Sequence, residues 1–435
     1  MGGYLPSSAA ERAEMLREIG LRSPADLYRD VPKALQIDRL NIPDGLGELE
    51  VSREMRAIAA KNKIYRSVFR GAGAYNHYIP AIVRSVTTKE EFVTAYTPYQ
   101  AEISQGILQS IFEYQTLVCE LTGLDASNAS VYDGATAAAE AVAMCCDKKR
   151  PRALVTESAN PEIRRVLETY LAGYGYRLET VPEADGRVDL DALKGLLGQD
   201  AACLVMQSPN FYGLIEDVES AAALVHGTGA KLVLSLNPIA GALYKSAGEL
   251  GADISVGDGQ PLGMPLSFGG PYLGFMAAKA DMMRKLPGRI VGETTDKEGR
   301  RAFVLTLQAR EQHIRREKAG SNICSNQALC AMTASVYAAA LGAEGLTEVA
   351  RQCHARAEYL AARLAEIGYP RRHGGAFFHE FLTECPVPAE RALAALSEKG
   401  ILGGLPAAGG ILWCATEMNS KADMDELVEI LKGVR

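Results

Sequence analysis

From Ala153 to Leu236 the chain alternates short apolar runs with amphipathic stretches, and this alternation limits its fold more than any other feature. Ala153–Thr156 precedes a helical pattern from Pro161 to Ala172, and Arg177–Val181 precedes one from Leu190 to Leu197. Cys203–Met206 leads to Val218–His226, and Leu232–Leu236 leads to Ala240–Gly248. Strands that return to one sheet through helices run parallel, and a parallel sheet needs cover on both faces. The pattern therefore predicts an α/β body, a mainly parallel sheet covered by helices.

Other segments flank this body. Residues 1–70 read as a helical arm. It has a capping box at Ser8 to Glu11 with a stop at Gly20, a second start at Ser23-Pro24, a turn at Pro43-Asp44-Gly45 and a helix from Ser52 to about Asn62. The arm has few large apolar residues, so it is expected to wrap a larger body or a neighbouring subunit. Residues 71–325 make the large α/β domain. Its long helix is predicted over Ala101–Thr122, with Ile103, Ile107, Ile111, Tyr114, Val118 and Leu121 at helical spacing and Gly123 as the stop. Residues 326–435 read as an alanine-rich helix to Leu341 and a second helix from Leu346 to Ile367. Strand Phe377–Leu382, helix Ala389–Lys399, strand Ile411–Ala415 and helix Met424–Leu431 follow, forming a smaller C-terminal α/β domain.

Composition narrows the setting. A chain of 435 residues with 48% hydrophobic and 23% charged content is that of an ordinary globular protein with more than one domain. A net charge of −7 argues against nucleic-acid binding. The nine cysteines have neither paired zinc spacing nor a small disulfide framework, and the six histidines form no HxxxH or HxxE pair. No metal site is expected, and a reducing cytoplasm is the natural compartment. Met1–Ala10 lacks the basic and apolar regions of a signal peptide, and the uncharged stretch Gln260–Ala278 is too rich in glycine and proline for a membrane helix.

Two positions in this layout bear on chemistry. Enzymes that use pyridoxal phosphate on such a scaffold pair the pyridine nitrogen with an aspartate at one strand end. They form an imine with a lysine presented after the next strand. Here the first place, after Leu232–Leu236, holds Asn237, and the second, within Ala252–Gly270, holds Gln260. An amide forms no imine, and a neutral amide does not hold a pyridinium proton as a carboxylate does. Lys245, Lys279 and Lys318 stand outside the strand–loop context and are expected to be solvated. The layout is that of the cofactor's chemistry without its two essential groups.

Four further segments are candidates. Asp133-Gly134-Ala135-Thr136 feeds a helix, which suits either an ordinary N-cap or a phosphate cradle at Gly134. Tyr96-Thr97-Pro98-Tyr99-Gln100 is a proline-stiffened loop that either lines a pocket or packs as a corner. Arg70-Gly71-Ala72-Gly73-Ala74-Tyr75-Asn76-His77 has no dinucleotide context, and a lone His77 is more often structural than catalytic. The charged run Arg310–Lys318 reads as a solvated helix face, and the Gly320-Ser321-Asn322 turn after it opens a helix near Asn326 that could receive an anion.

Several long segments in order resemble the glycine decarboxylases, the P-proteins of the glycine cleavage system, along the N-terminal (α) half of the two-subunit form. They are AYTPYQAEISQG (Ala95–Gly106), CELTGLDASNAS (Cys119–Ser130), DGATAAAEA (Asp133–Ala141), PGRIVGET (Pro287–Thr294) and LQAREQHIRREKAGSNICSNQAL (Leu307–Leu329). The resemblance covers nearly the whole chain. It implies a fold-type-I pyridoxal-phosphate-dependent transferase-like architecture, with the lysine and pyridoxal 5'-phosphate carried by a second polypeptide, subunit 2 (β). The implied reaction is decarboxylation of glycine and transfer of the aminomethyl group to the lipoyl arm of H-protein. On this reading Tyr96, Thr97, Tyr99 and Gln100 line the glycine and lipoyl pocket across the interface, with Tyr75 and His77 nearby. Ser321 and Asn322 reach the partner's cofactor phosphate, while Gly134, Asn237 and Gln260 are vestigial. Two rivals remain: a stand-alone pyridoxal-phosphate enzyme using an unrecognised lysine such as Lys245, and a non-catalytic regulatory subunit.

Overall fold

The structure is a computed structural model and describes residues 6–37, 39–95 and 97–434. It divides into two compact units, Met1–Lys63 and Ile64–Arg435. In the first, Ser8 and Glu11 form the expected capping box, Glu11 N donating to Ser8 Oγ at 3.2 Å and Ser8 N to Glu11 Oε2 at 2.6 Å, at the head of helix Ala9–Glu18. The second helix is Glu48–Ala59, earlier than expected, because the Glu50 carboxylate accepts from Gly47 N at 2.9 Å and starts it there. The Pro43–Gly45 stretch is irregular backbone without an assigned turn. No helix of this unit buries a residue, and Leu49, Met55 and Ile58 stay exposed.

The unit boundary falls before residue 70 for a physical reason. Ser67–Val68 pairs in parallel with Ile401–Leu402, and Phe69 is fully buried against Trp413 and its neighbours. Residues 64–70 therefore belong to the body and not to the arm.

The body is built on seven strands: β1 (Ala126–Ser127), β2 (Arg152–Thr156), β3 (Arg177–Val181), β4 (Ala201–Gln207), β5 (Lys231–Ser235), β6 (Ile254–Asp258) and β7 (Gly274–Ala278). Their order across the sheet is β1-β7-β6-β5-β4-β2-β3. β2 to β6 run parallel, while β7 is antiparallel to both β6 and β1. The interior strands are apolar on both faces, as a sheet covered on both sides requires. Helix Gly134–Cys145 lies in one core and Val218–Gly227 in another, so the expected α/β layering is present.

Several elements depart from expectation. The long helix begins at Gln105, not Ala101, which leaves Ile103 77% exposed in the turn before it. The Ala240–Gly248 segment holds only the single turn Ala240–Ala242. Gly248 N donates to Thr122 O at 2.9 Å, and a Cβ on Gly248 would lie 2.1 Å from Gly123 O, so the chain packs there as a tight turn against a helix end. The hairpin Val291–Thr295/Arg301–Leu305 was not foreseen. Buried Gln115 ties it to the long helix, donating to Val291 O and accepting from Val291 N, both at 2.9 Å.

Nothing in the packing separates the body at residue 326. The helical run Ala328–Ala365 bends at Gly342, whose φ of 64° interrupts it. Before the bend Ala331, Ala334 and Tyr337 share a core with Val118 and Phe275; beyond it Ala357, Leu360 and Leu364 join the core around Trp413. By length and composition the run is apolar enough to cross a membrane, but its buried residues are committed to these two cores. The C-terminal sheet is antiparallel, ordered Glu380–Thr383, Gly410–Cys414, Leu405–Ala407.

Replacing Gln115 with leucine strands both buried polar groups of Val291, and each unsatisfied group costs about 1–3 kcal/mol. Urea unfolding of Gln115→Leu is expected to show a loss of about 2–6 kcal/mol, with an unchanged m-value if the fold is retained.

Candidate active-site cleft

In open α/β sheets the ligand crevice lies beyond the carboxyl ends of the parallel strands. Here that place is a cleft of about 480 Å³ lined by Gln207 of β4, Ser235 of β5 with Leu236 and Asn237 after it, and Asp258 of β6. The head of helix Gly134–Cys145 and the segment Gly71–Tyr75 complete the wall. Among its lining residues there is no lysine or arginine, whereas Asp133, Asp258 and Glu162 supply three carboxyl groups.

Gln260 is 1% exposed and turned into the protein. Its Oε1 accepts from Tyr75 N at 2.8 Å, and its Nε2 donates to Tyr75 O at 2.9 Å and to Met264 O at 2.8 Å. One amide thus acts as a strand partner for Tyr75, giving and receiving at once. Asn237 is also committed: its Oδ1 accepts from Ile239 N at 2.9 Å and Ala240 N at 3.3 Å, and its Nδ2 lies 3.5 Å from His379 Nε2. Burial holds the His379 imidazole well below its usual titration range, so it stays neutral and can accept that contact.

The segment from Gly71 to Tyr78 is fixed by two glutamates. Glu380 accepts from Ala72 N at 2.6 Å and from the Tyr75 hydroxyl at 2.7 Å. Glu417 accepts from Tyr78 N at 2.7 Å, while its other oxygen lies 2.9 Å from His77 Nδ1 and 3.2 Å from Cys353 Sγ. His77, Cys353 and Glu417 come together from three distant parts of the chain, which spacing rules did not foresee; their contacts make a hydrogen-bonded trio. A Cβ on Gly71 would sit 2.4 Å from Glu380 Oε1, so only glycine passes there. Burial pushes the Glu380 carboxyl up to about 7 against the two donors that favour its charge.

The other sequence candidates lie elsewhere. Thr97 and Gln100 line a second cleft of about 470 Å³ with Phe92, Ile103 and Ile107. Tyr99 donates to Asn326 Oδ1 and lies under the Arg289 guanidinium, 4.5 Å from the ring centre. Tyr96 lies outside the described residues. Tyr75 lines the strand-end cleft and His77 helps to brace the segment beside it, Thr97 and Gln100 line the second cleft, and half-buried Tyr99 bonds Asn326, the neighbour of Gln327 in the strand-end cleft. Ser321 lines a third depression with Arg284, Lys285, Arg310, Arg315 and Lys318, beside buried Glu140, while Asn322 is exposed.

The charged run is not a plain solvated helix. Gln312–Arg315 is a single short helix between 3-10 turns, and Glu311 is buried with Arg289 at 3.6 Å. The helix after it starts at Ala328 rather than Asn326. Lys245 is exposed beside Glu219 at 2.7 Å, Lys279 pairs with Asp253 at 3.1 Å, and Lys318 is exposed. None of the three lines the strand-end cleft. Gly134 follows the N-cap Asp133, whose side chain accepts from Thr136 N at 2.7 Å, the ordinary capping role. Sequence reasoning missed Asp258, Glu380 and Glu417, which are single acids without a local motif; only the folded chain shows what they hold.

The sheet order and the strand-end cleft define the fold of the type-I pyridoxal-phosphate enzymes. A solved C-DES mutant with glycine covalently linked to its PLP cofactor superposes with a TM-score of 0.64 over 91% of this chain and 100% of that one, at 15% identity, which speaks to fold alone. The family model described as glycine cleavage system P-protein matches residues 2–431. A probable glycine dehydrogenase (decarboxylating) subunit 1 from Moorella thermoacetica is 48% identical over 99% of both chains. A crystal structure of glycine decarboxylase (P-protein) of the glycine cleavage system, in inhibitor-bound form, matches with a TM-score of 0.94 and 43% identity over 100% of both chains. The chain belongs to the glycine cleavage system P-protein family.

The cleft residues of this chain do not fit the cofactor of the fold. No lysine reaches the strand ends, Asn237 offers no carboxylate, and Asp258 Oδ2 occupies Gly134 N at 3.1 Å.

A carboxyl group whose pKa is raised on folding adds stability that is present below the unfolded value and lost as pH rises through the folded value. For Glu380 that window runs from 4.5 to about 7. Wild type is expected to lose up to about 3 kcal/mol relative to Glu380→Gln across it, from roughly 1.4 kcal/mol per pKa unit. Denaturant unfolding of both proteins at the two ends of the window measures this, and a pH-independent difference contradicts the assignment.

Proposed function

We propose that this chain is the subunit without the lysine in a two-subunit glycine decarboxylase. Subunit 2 holds pyridoxal 5'-phosphate, and the pair decarboxylates glycine and passes the aminomethyl group to the lipoyl arm of H-protein in the cytoplasm. The observation that carries the reading is Gln260: the position a lysine would need is filled by an amide bonded to the backbone of Tyr75. A chain of this family with that substitution contributes surface, not a covalent anchor.

Two features support a surface made for a partner. Ile103 and Phe268 are 77% and 96% exposed, and Phe268 stands on a loop whose Ser267, Phe268, Gly269 and Gly270 all have positive φ. A non-glycine residue in that region is strained, and strained loops concentrate at binding sites. The outward cleft with Thr97 and Gln100, flanked by Tyr99, is where this chain meets glycine and the lipoyl arm. Tyr99 supplies a hydroxyl already oriented by Asn326, and Gln100 an exposed amide that can donate and accept. Tyr75 and His77 hold the Gly71–Tyr78 segment in place through Glu380 and Glu417. The basic depression at Ser321 is suited to receive the partner's cofactor phosphate by charge. An obligate interface of this kind buries more than about 2,000 Å².

The chain expressed alone is expected to bind no pyridoxal phosphate and to release no carbon dioxide from glycine. Co-expressed with its partner it should give a coloured complex that exchanges glycine carboxyl carbon. In that complex Tyr99→Phe and Gln100→Ala should each lower kcat/KM by about tenfold, a transition-state loss of about 1.4 kcal/mol. A coloured, decarboxylating preparation of the lone chain overturns the proposal.

A further inference from the structure

The head of helix Gly134–Cys145 points into the strand-end cleft, and its first N–H groups are the natural place for a phosphate on this fold. Two carboxyl groups already use them. Thr136 N donates to Asp133 Oδ1 at 2.7 Å, and Gly134 N donates to Asp258 Oδ2 at 3.1 Å. Ala137 N is satisfied within the helix by Asp133 O at 2.9 Å. The other oxygen of Asp258 accepts from Gln260 N at 2.9 Å, which fixes the side chain in this pose.

We infer that Asp133 and Asp258 together take over the anion-binding end of this helix, so that the cleft of this chain rejects phosphate-bearing ligands whether or not a lysine is present. Asp133 alone is an ordinary N-cap, found at many helix starts. Asp258 is different: it reaches the helix from another strand, and it stands two residues before Gln260. A Cβ added to Gly134 would meet Asp258 N at 2.8 Å and Asp258 Cβ at 3.1 Å, so β6 is packed directly onto the helix head. An incoming phosphate would find the N–H groups of Gly134 and Thr136 filled and only Ala135 N between them left over, two acids beside them, and among the lining residues no cation to offset its charge.

Burial pushes the Asp258 carboxyl up to about 7, so near neutral pH part of it carries a proton. The charged form accepts from Gly134 N and Gln260 N on its two oxygens, and the protonated form keeps its carbonyl oxygen and its bulk at the helix head. Loss of pyridoxal phosphate is thus written twice in the cleft: once at Gln260, against the imine, and once at Asp258, against the phosphate.

The test compares pyridoxal phosphate with pyridoxal, which differs only in lacking the phosphate, by equilibrium dialysis against the full-length chain. Wild type is expected to show no preference for the phosphorylated form. Asp258→Ser should raise the preference at least tenfold, with Asp258→Ala, which also removes the acceptor, as the variant used if serine does not fold by circular dichroism. Protection of the same proteins against thermal unfolding by inorganic phosphate gives a second reading and should follow the same order. A tenfold preference in wild type overturns the inference, as does a folded Asp258 variant that gains none. These outcomes concern the isolated chain's own cleft, so they are separate from whether the two-subunit complex needs this chain to decarboxylate glycine.

Discussion

The amide of Gln260 joins two parts of the chain that are distant in sequence, the Tyr75 segment and the loop after β6. Tyr75 offers one N–H and one C=O, and a side-chain amide is the group that can satisfy both at once. With Tyr75 held, the backbone upstream crosses the cleft wall, bending at Ala72 and Gly73 with φ of 65° and 117°. The Tyr75 hydroxyl then reaches Glu380, which also receives Ala72 N–H. From Glu380 the network enters the C-terminal sheet, so this buried amide is one of the links, with Asn237–His379, between the strand-end cleft and the last third of the chain.

The molecule uses buried carboxyl groups as backbone receptors in the same way. Glu380, Glu417 and Asp258 each accept loop N–H groups, and Glu216 accepts from Val188 N, Ser158 Oγ and Asn210 Nδ2. Such groups are costly when unpaired and settle loop geometry when satisfied. In this chain such side chains order the loops beside the strand-end cleft, whose lining residues include no lysine or arginine.

Much of this was legible in the linear chain. Arg177–Val181 was read to the residue, and the parallel sheet followed from local alternation, because strand and helix periodicities are properties of a few adjacent residues. Asn237 and Gln260 drew attention because the strand pattern marks where a ligand group is expected, and both stand at the strand-end cleft or beside it. The start of the long helix was misread at Ile103, since the apolar spacing continues past the turn in which that residue is exposed. Hairpin Val291–Thr295/Arg301–Leu305 was missed because its pairing is short and its stabilising partner, Gln115, is far away in sequence. Which cleft each candidate lines was not legible either: Tyr75 lines the strand-end cleft while Thr97 and Gln100 line another, a matter of chain path and not of residue type.

By itself, the order of residues determined the α/β layout, the absence of an imine-forming lysine at Gln260 and the family to which the chain belongs. Tertiary structure decided what the replacement does: which backbone groups Gln260 holds, which acid faces the helix head, and which loop points outward. The division has a physical cause. Periodicity and chemical type are local and can be read one window at a time, whereas a hydrogen bond between Gly134 and Asp258 exists only after β6 has been laid beside the helix that Gly134 begins.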